Sequence, residues 1–225
     1  LTFRKTGGGL TAPTQQFTLT YGAVDHLNLA VANSLANDTA WATQPVVTIQ
    51  DADSNTVDVN STVTLTASGA TSVALGGTTS MDAVNGVANF TGKGVKLTGL
   101  IGAKTLTAAI ASPSNIVKSQ TVTITYGAAT KLAISTDAAD ATNGSQFGTQ
   151  PVILVQDVSG NLVANSTVSV TASVSNGTLD GTDTVPAVGG VASFTNLGLT
   201  ATAGSKTLTY ASSPLASATQ SILAV

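Results

Sequence analysis

The chain contains no cysteine. That excludes a disulfide framework and any thiolate-held metal. Glutamate is missing as well, since all 11 acidic residues are aspartate. Exposed helix faces favour Glu and Lys; a chain without Glu, dominated by Thr, Ser, Val, Ala and Gly, suits pleated, half-buried strands joined by tight turns. Charge is scarce in general: only 8% of residues carry one, against roughly 25% in an average globular domain. The 8 basic residues are scattered and the formal net charge is -3. No basic stripe therefore exists to neutralise nucleic-acid phosphates or to hold an anionic membrane surface. Aromatics amount to 4%, little for the flat platforms on which sugars stack. Mean hydropathy is +0.31, yet no apolar run approaches the ~18 residues of a membrane-spanning helix. Membrane insertion is not expected.

Weak charge combined with positive hydropathy removes the usual electrostatic protection against self-association. The expectation is a surface buried against copies of itself, as a homopolymer, or covered by sugar. The first residue is Leu and no signal peptide is visible, which reads as a processed chain or an excised segment.

What is present is a repeat. Tyr21-Gly22-Ala23 aligns with Tyr126-Gly127-Ala128, an offset of 105. In the same order follow Thr43-Gln44-Pro45-Val46 with Thr149-Gln150-Pro151-Val152, Gln50-Asp51 with Gln156-Asp157, and Asn60-Ser61-Thr62-Val63 with Asn165-Ser166-Thr167-Val168. Gly86-Val87-Ala88 and Phe90 match Gly190-Val191-Ala192 and Phe194, and Lys104-Thr105-Leu106-Thr107 matches Lys206-Thr207-Leu208-Thr209. Shared order and spacing over this length mean a duplicated domain rather than shared composition. Within each copy apolar residues alternate: Leu27, Leu29 and Val31; Val63, Leu65 and Ala67; Val122 and Ile124; then Leu132 and Ile134, Val168 and Val170. Period two marks strands with one face in a core. Asn85-Gly86, Asn176-Gly177, Gly189-Gly190 and Ser159-Gly160-Asn161 supply turns between them. The predicted fold class is all-β: tandem immunoglobulin-like Greek-key β-sandwiches over residues 21–125 and 126–225, with an extra N-terminal strand segment over 1–20.

That segment aligns with the end of the first repeat, Phe17-Thr18-Leu19-Thr20-Tyr21 falling on Val122-Thr123-Ile124-Thr125-Tyr126. Its alternating residues Leu1, Phe3, Phe17, Leu19 and Tyr21 form a candidate assembly strand. It is either a partial module at a fragment boundary or a strand donated to a neighbouring subunit, which would give head-to-tail polymerisation.

Each copy resembles the bacterial immunoglobulin-like repeats of invasin- and intimin-type surface proteins. The resemblance runs through Pro45 to Asp51 and Asn55, Val63 to Ala67, Gly86 to Phe90 and Thr105 to Ala108. In the second copy it runs through Pro151 to Asp157, Gly160-Asn161, Val168 to Ala172, Gly190 to Phe194 and Thr207 to Tyr210. It implies an extracellular spacer or display role, with no catalytic residues to transfer. Ser54 stands where the pattern has Gly.

Candidate chemistry is thin. His26 is the single histidine; a catalytic imidazole needs a nucleophile and an orienting acid, and Asp25, its chain neighbour, is expected on the opposite face of the strand. Asp51, Asp53 and Asn55 have the alternate spacing of a calcium loop, though Thr62 stands where an EF-hand has its Glu. The same residue types also build a hairpin turn. Calcium is the one cofactor considered. Asn37, Asn60, Asn89, Asn143, Asn165 and Asn176 lie in Asn-x-Ser/Thr sequons and are glycosylation candidates. The matched Lys104 and Lys206 raise an intramolecular Lys–Asn or Lys–Asp crosslink, for which only Asp could serve as the assisting acid. The functional expectation is a non-catalytic structural subunit of an extracellular filament or cell-surface stalk. The alternative is an adhesin module that binds carbohydrate or a cell-surface ligand through its end loops.

Overall fold

A computed structural model describes residues 16–113, 115–139 and 141–225. Leu1 and Phe3 of the candidate assembly strand lie outside these residues. The described residues form strands, turns and irregular segments, and among them no helix is long and apolar enough to cross a membrane.

The first repeat contributes β1 (His26–Ala30), β2 (Ser34–Ala36), β3 (Val46–Gln50), β4 (Thr62–Ser68), β5 (Val73–Gly76), β6 (Ser80–Asp82), β7 (Val87–Asn89), β8 (Lys96–Gly99), β9 (Gly102–Ile110) and β10 (Ile116–Thr125). The second contributes β11 (Lys131–Thr136), β12 (Ser145–Gln146), β13 (Val152–Gln156), β14 (Ser169–Val174), β15 (Thr178–Asp180), β16 (Thr184–Pro186), β17 (Val191–Ser193), β18 (Gly198–Thr200), β19 (Gly204–Ala211) and β20 (Ala218–Ala224). One sheet of the first module runs β1-β3-β7 and the facing one β2-β10-β9-β4-β6. The second module repeats this as β11-β13-β17 and β16-β14-β19-β20. Adjacent strands are antiparallel apart from the short β2–β10 pair. This is the immunoglobulin-like sandwich.

Alternation builds the cores. In β4 the inward residues Val63 and Leu65 are buried, while Thr62, Thr64 and Thr66 face out. Val47 and Ile49 of β3, Leu106 and Ala108 of β9, and Val122 and Ile124 of β10 close the other walls. Two separate clusters result, one centred on Phe90, Leu97 and Trp41, the other on Phe194, Leu199 and Tyr210. Phe147 fills in the second module the place that Trp41 holds in the first. The Trp41 indole N–H is buried with no partner among the described residues. Ile134 is only half-buried because a bulge shifts the register between it and Thr136.

Asn85 and Gly86 form a two-residue hairpin turn with φ of 50° and 76°, the mirror-image geometry that matches strand twist. A Cβ on Gly86 would sit 2.2 Å from the Val57 carbonyl oxygen, so only glycine fits.

The segment Phe17–Tyr21, expected as a strand, is not one. Phe17 and Leu19 are 73% and 88% exposed, whereas their counterparts Val122 and Ile124 are buried inside β10. The difference is partnership: β10 pairs with β9 along its length, and no strand among the described residues pairs with 17–21. Nor does either module keep the last-strand position vacant. It is filled by β10 in the first and β20 in the second.

Candidate functional site: a carboxylate-centred joint between the modules

The Asp157-x-Ser159-x-Asn161 loop follows β13 and turns the chain back on itself. Gly160 adopts φ 88° there, which glycine allows at no steric cost. Asp157 is buried and its carboxylate collects N–H donors. Oδ1 accepts from the backbone of Ser159 and Asn161, both at 3.0 Å. Oδ2 accepts from the Asn161 side chain at 2.9 Å and from the Gly127 backbone at 2.9 Å. Gly127 lies two residues after β10, so this last bond ties the connecting segment to the second module.

The first module completes the cage. Asn37, just after β2, donates its Nδ2 to Asp157 Oδ2 at 2.9 Å and to Ser159 Oγ at 3.0 Å. Its Oδ1 accepts from Gly99 N at 2.8 Å. The exchange is reciprocal: Asn161 donates to Gly99 O at 3.0 Å and accepts from Ile101 N at 2.9 Å. Asn37 and Asn161 are therefore two crossing amide bridges with Asp157 between them. Burial pushes the Asp157 carboxyl up, but the N–H donors from Gly127, Asn161 and Asn37 outweigh it and hold the group below its ordinary value.

Asp51, Asp53 and Asn55 build the same loop in the first module. Asp51 Oδ2 accepts from Gly22 N at 2.7 Å, and Oδ1 from Asn55 N at 2.8 Å and Asp53 N at 3.1 Å. The Asn55 side chain donates to both oxygens. These bonds, the Gly22 contact foremost, lower the Asp51 pKa. These bonds close the loop as an Asx-type turn. A cation needs free oxygen lone pairs converging on one point; here N–H groups fill the Asp51 oxygens, and Asn55 turns its nitrogen inward. No group of three or more His, Cys, Asp or Glu able to hold a metal occurs among the described residues.

The sequons divide. Asn60, Asn89, Asn143, Asn165 and Asn176 are exposed, while Asn37 is 2% exposed with its amide nitrogen committed to Asp157. A glycan on Asn37 would have to break the joint, so the structure removes it from the candidates.

Asp25 and His26 do touch, Nδ1 to Oδ2 at 3.1 Å. The opposite-face argument fails because β1 begins at His26 and Asp25 is not in the strand. The pair is exposed, and among the described residues no side chain other than Asp25 bonds the His26 ring. Lys104 and Lys206 are buried, but their amines reach Thr71 and Thr202 hydroxyls rather than a carboxylate or an Asn. Among the described residues no acid is bonded to either amine.

Two residue roles were missed by sequence reasoning. Asn37 was seen only as a sequon. Gln44 and Gln150 were seen only as matched letters, yet each clamps a buried backbone. Gln44 Nε2 donates to Trp41 O at 2.6 Å and its Oε1 accepts from Val95 N at 2.7 Å. Gln150 does the same between Phe147 and Leu197. A polar residue matched between copies inside an apolar stretch was the available signal.

Fold and joint together define the class: two immunoglobulin-like β-sandwich cores coupled by a carboxylate cage. No family model and no curated protein matches the chain. Among solved structures it is similar to the Escherichia coli adhesin FdeC, with 14% identity and a TM-score of 0.43 over 91% of this chain and 66% of that one. It is similar to the D0–D1 domains of intimin, with 17% identity and a TM-score of 0.32 over 89% of this chain and 97% of that one. It is also similar to a Parabacteroides merdae β-glucuronidase, with 12% identity and a TM-score of 0.33 over 87% of this chain, spanning 24% of the enzyme.

Proposed function

We propose that the chain is a non-catalytic structural segment of an extracellular stalk or filament, whose modules transmit force through their joint. The carrying observation is the Asn37–Asp157–Asn161 network, which spends a buried carboxylate and two buried amides on fixing one module against the next. Buried polar networks fully satisfied in this way rigidify the elements they join. Scarce surface charge fits self-association, with copies of the same chain as partners.

In this reading the N-terminal segment, with Phe17 and Leu19 exposed at alternate positions, adds to a sheet of a neighbouring copy. Because β10 and β20 already occupy the last-strand positions, the addition is to a sheet edge rather than to an empty slot. Electron microscopy of the purified protein tests the whole reading: linear ordered polymers are expected. Monodisperse particles that bind a glycan array would favour the adhesin instead. Deleting Leu1 to Thr20 should abolish the polymers, and filaments unchanged by that deletion would remove strand addition from the account.

A further inference from the structure

Among the described residues each module carries one half of a second joint of the same kind, without its counterpart. The first half is the Asp51 loop. Superposing the repeats by sequence, Gly22, Asp51, Asp53 and Asn55 correspond to Gly127, Asp157, Ser159 and Asn161. The intramodule bonds of the cage recur one for one, from Gly22 N to Asp51 Oδ2 through Asn55 N to Asp51 Oδ1. What the first cage lacks, among the described residues, is the visiting amide. Beside Asp157, Asn37, Asp38 and Thr39 wall a cleft of about 80 Å³ against Ala128, Thr130 and Val158. Beside Asp51, a cleft of about 380 Å³ is walled by Leu19, Thr20, Ala23, Asp25 and Ala52.

The second half is Asn143, which aligns with Asn37. Its backbone N–H donates to Val225 O at 3.0 Å, as Asn37 donates to Thr125 O at 2.9 Å. Its Oδ1 accepts from Ala201 N at 2.9 Å, as Asn37 accepts from Gly99 N. The side chain is thus held in the attitude that Asn37 takes in the closed joint, yet Asn143 is exposed and its Nδ2 has no acceptor among the described residues.

We infer that the Asp51 cage is the docking site for the Asn143 end of a second copy of this chain, with Asn143 Nδ2 donating to Asp51 Oδ2 and to the Asp53 carboxylate. The inference rests on the head-to-tail reading above and supplies its contact surface. It also makes joint formation and glycosylation at Asn143 competing uses of one nitrogen.

The absence of cysteine allows a clean test on the full chain. One variant carries Ala52→Cys with Ser145→Cys, which face each other only between copies; a reference variant carries Thr39→Cys with Val158→Cys, across the joint inside one chain. Both are treated with a short bis-maleimide in concentrated solution. The reference should close within the monomer, and its failure would sink the internal joint and with it the proposed stalk. The first variant should give a ladder of oligomers under denaturing conditions. Adding Asn143→Ala or Asp51→Ala should cut the ladder at least about tenfold, the scale of one lost hydrogen bond to a charged group. A reference that closes, beside a first variant with no ladder or a ladder indifferent to Asn143→Ala, would overturn the docking site while leaving the stalk standing. Circular dichroism and the melting temperature of each variant separate loss of docking from loss of fold.

Discussion

Ser54 and Gly160 occupy the same turn position in the two loops, but only one is glycine. Ser54 is held at φ 65°, a left-handed conformation costing a non-glycine residue roughly 1 kcal/mol. Its side chain is exposed and makes no hydrogen bond among the described residues, while its backbone N–H bonds Asp51 O at 3.0 Å. Ser54→Gly should therefore stabilise the first module by about 0.5 kcal/mol, the strain relieved less the extra freedom gained by the unfolded chain. Urea unfolding checks it, and a lower midpoint would contradict it. Gln44 argues the opposite case. Replacing it by Leu keeps the volume but leaves the Val95 N–H and the Trp41 carbonyl buried without partners. Each such group costs about 1–3 kcal/mol, so Gln44→Leu should lower stability by about 3 kcal/mol or more. A nearly neutral result would mean that water reaches the clamp.

At the scale of strands and loops, the sandwich was legible in the sequence because its signal is local. Val63 and Leu65 alternate with Thr62, Thr64 and Thr66, and burial follows the letters. Asn85-Gly86 announces its turn for the same reason: φ above zero is a property of two residues. The joint was not legible, because its partners lie far apart in sequence: Asn37 and Asp157 are 120 residues apart. Nothing local separates a sequon from a hydrogen-bonding plug, or a calcium spacing from an Asx turn. The N-terminal segment shows the converse. Its alternation of Phe17, Leu19 and Tyr21 is a strand pattern, but a strand needs a neighbour, and pattern alone does not supply one. The joint itself predicts that Asn37→Ala will loosen the modules without unfolding them, since Leu35 and Trp41 beside it stay in the core. Hydrogen exchange should rise at Gly99, Ile101 and Gly127 while β4 and β14 remain protected. Unchanged exchange at Ile101 would show that Asn37 contributes nothing to the coupling.

For the molecule as a whole, the joint makes stiffness a function of pH. Asp157 has a folded-state pKa below its ordinary value because Gly127, Asn161 and Asn37 donate to the charged form. A group depressed on folding contributes stability that is present above the unfolded value, about 3.9 for Asp. That contribution disappears as pH falls through the folded value. Protonation would also place an O–H among N–H donors and remove the charge that Asn37 and Gly127 address. The two hydrophobic clusters contain no carboxylate; Asp51, also held below its ordinary value, loses in the same range only bonds within its own loop and to Gly22. The modules should therefore stay folded while their coupling is lost. Small-angle scattering is expected to report one fixed arrangement near neutral pH and a spread of arrangements once pH falls below the ordinary Asp value of about 3.9 and through the depressed folded one, with circular dichroism unchanged. Asp157→Asn should bring the spread to neutral pH, since the amide keeps the shape but sets an NH₂ against donors. If scattering is the same at both pH values, or if Asp157→Asn matches the unmodified chain, the carboxylate does not couple the modules and stiffness must come from elsewhere in the connection.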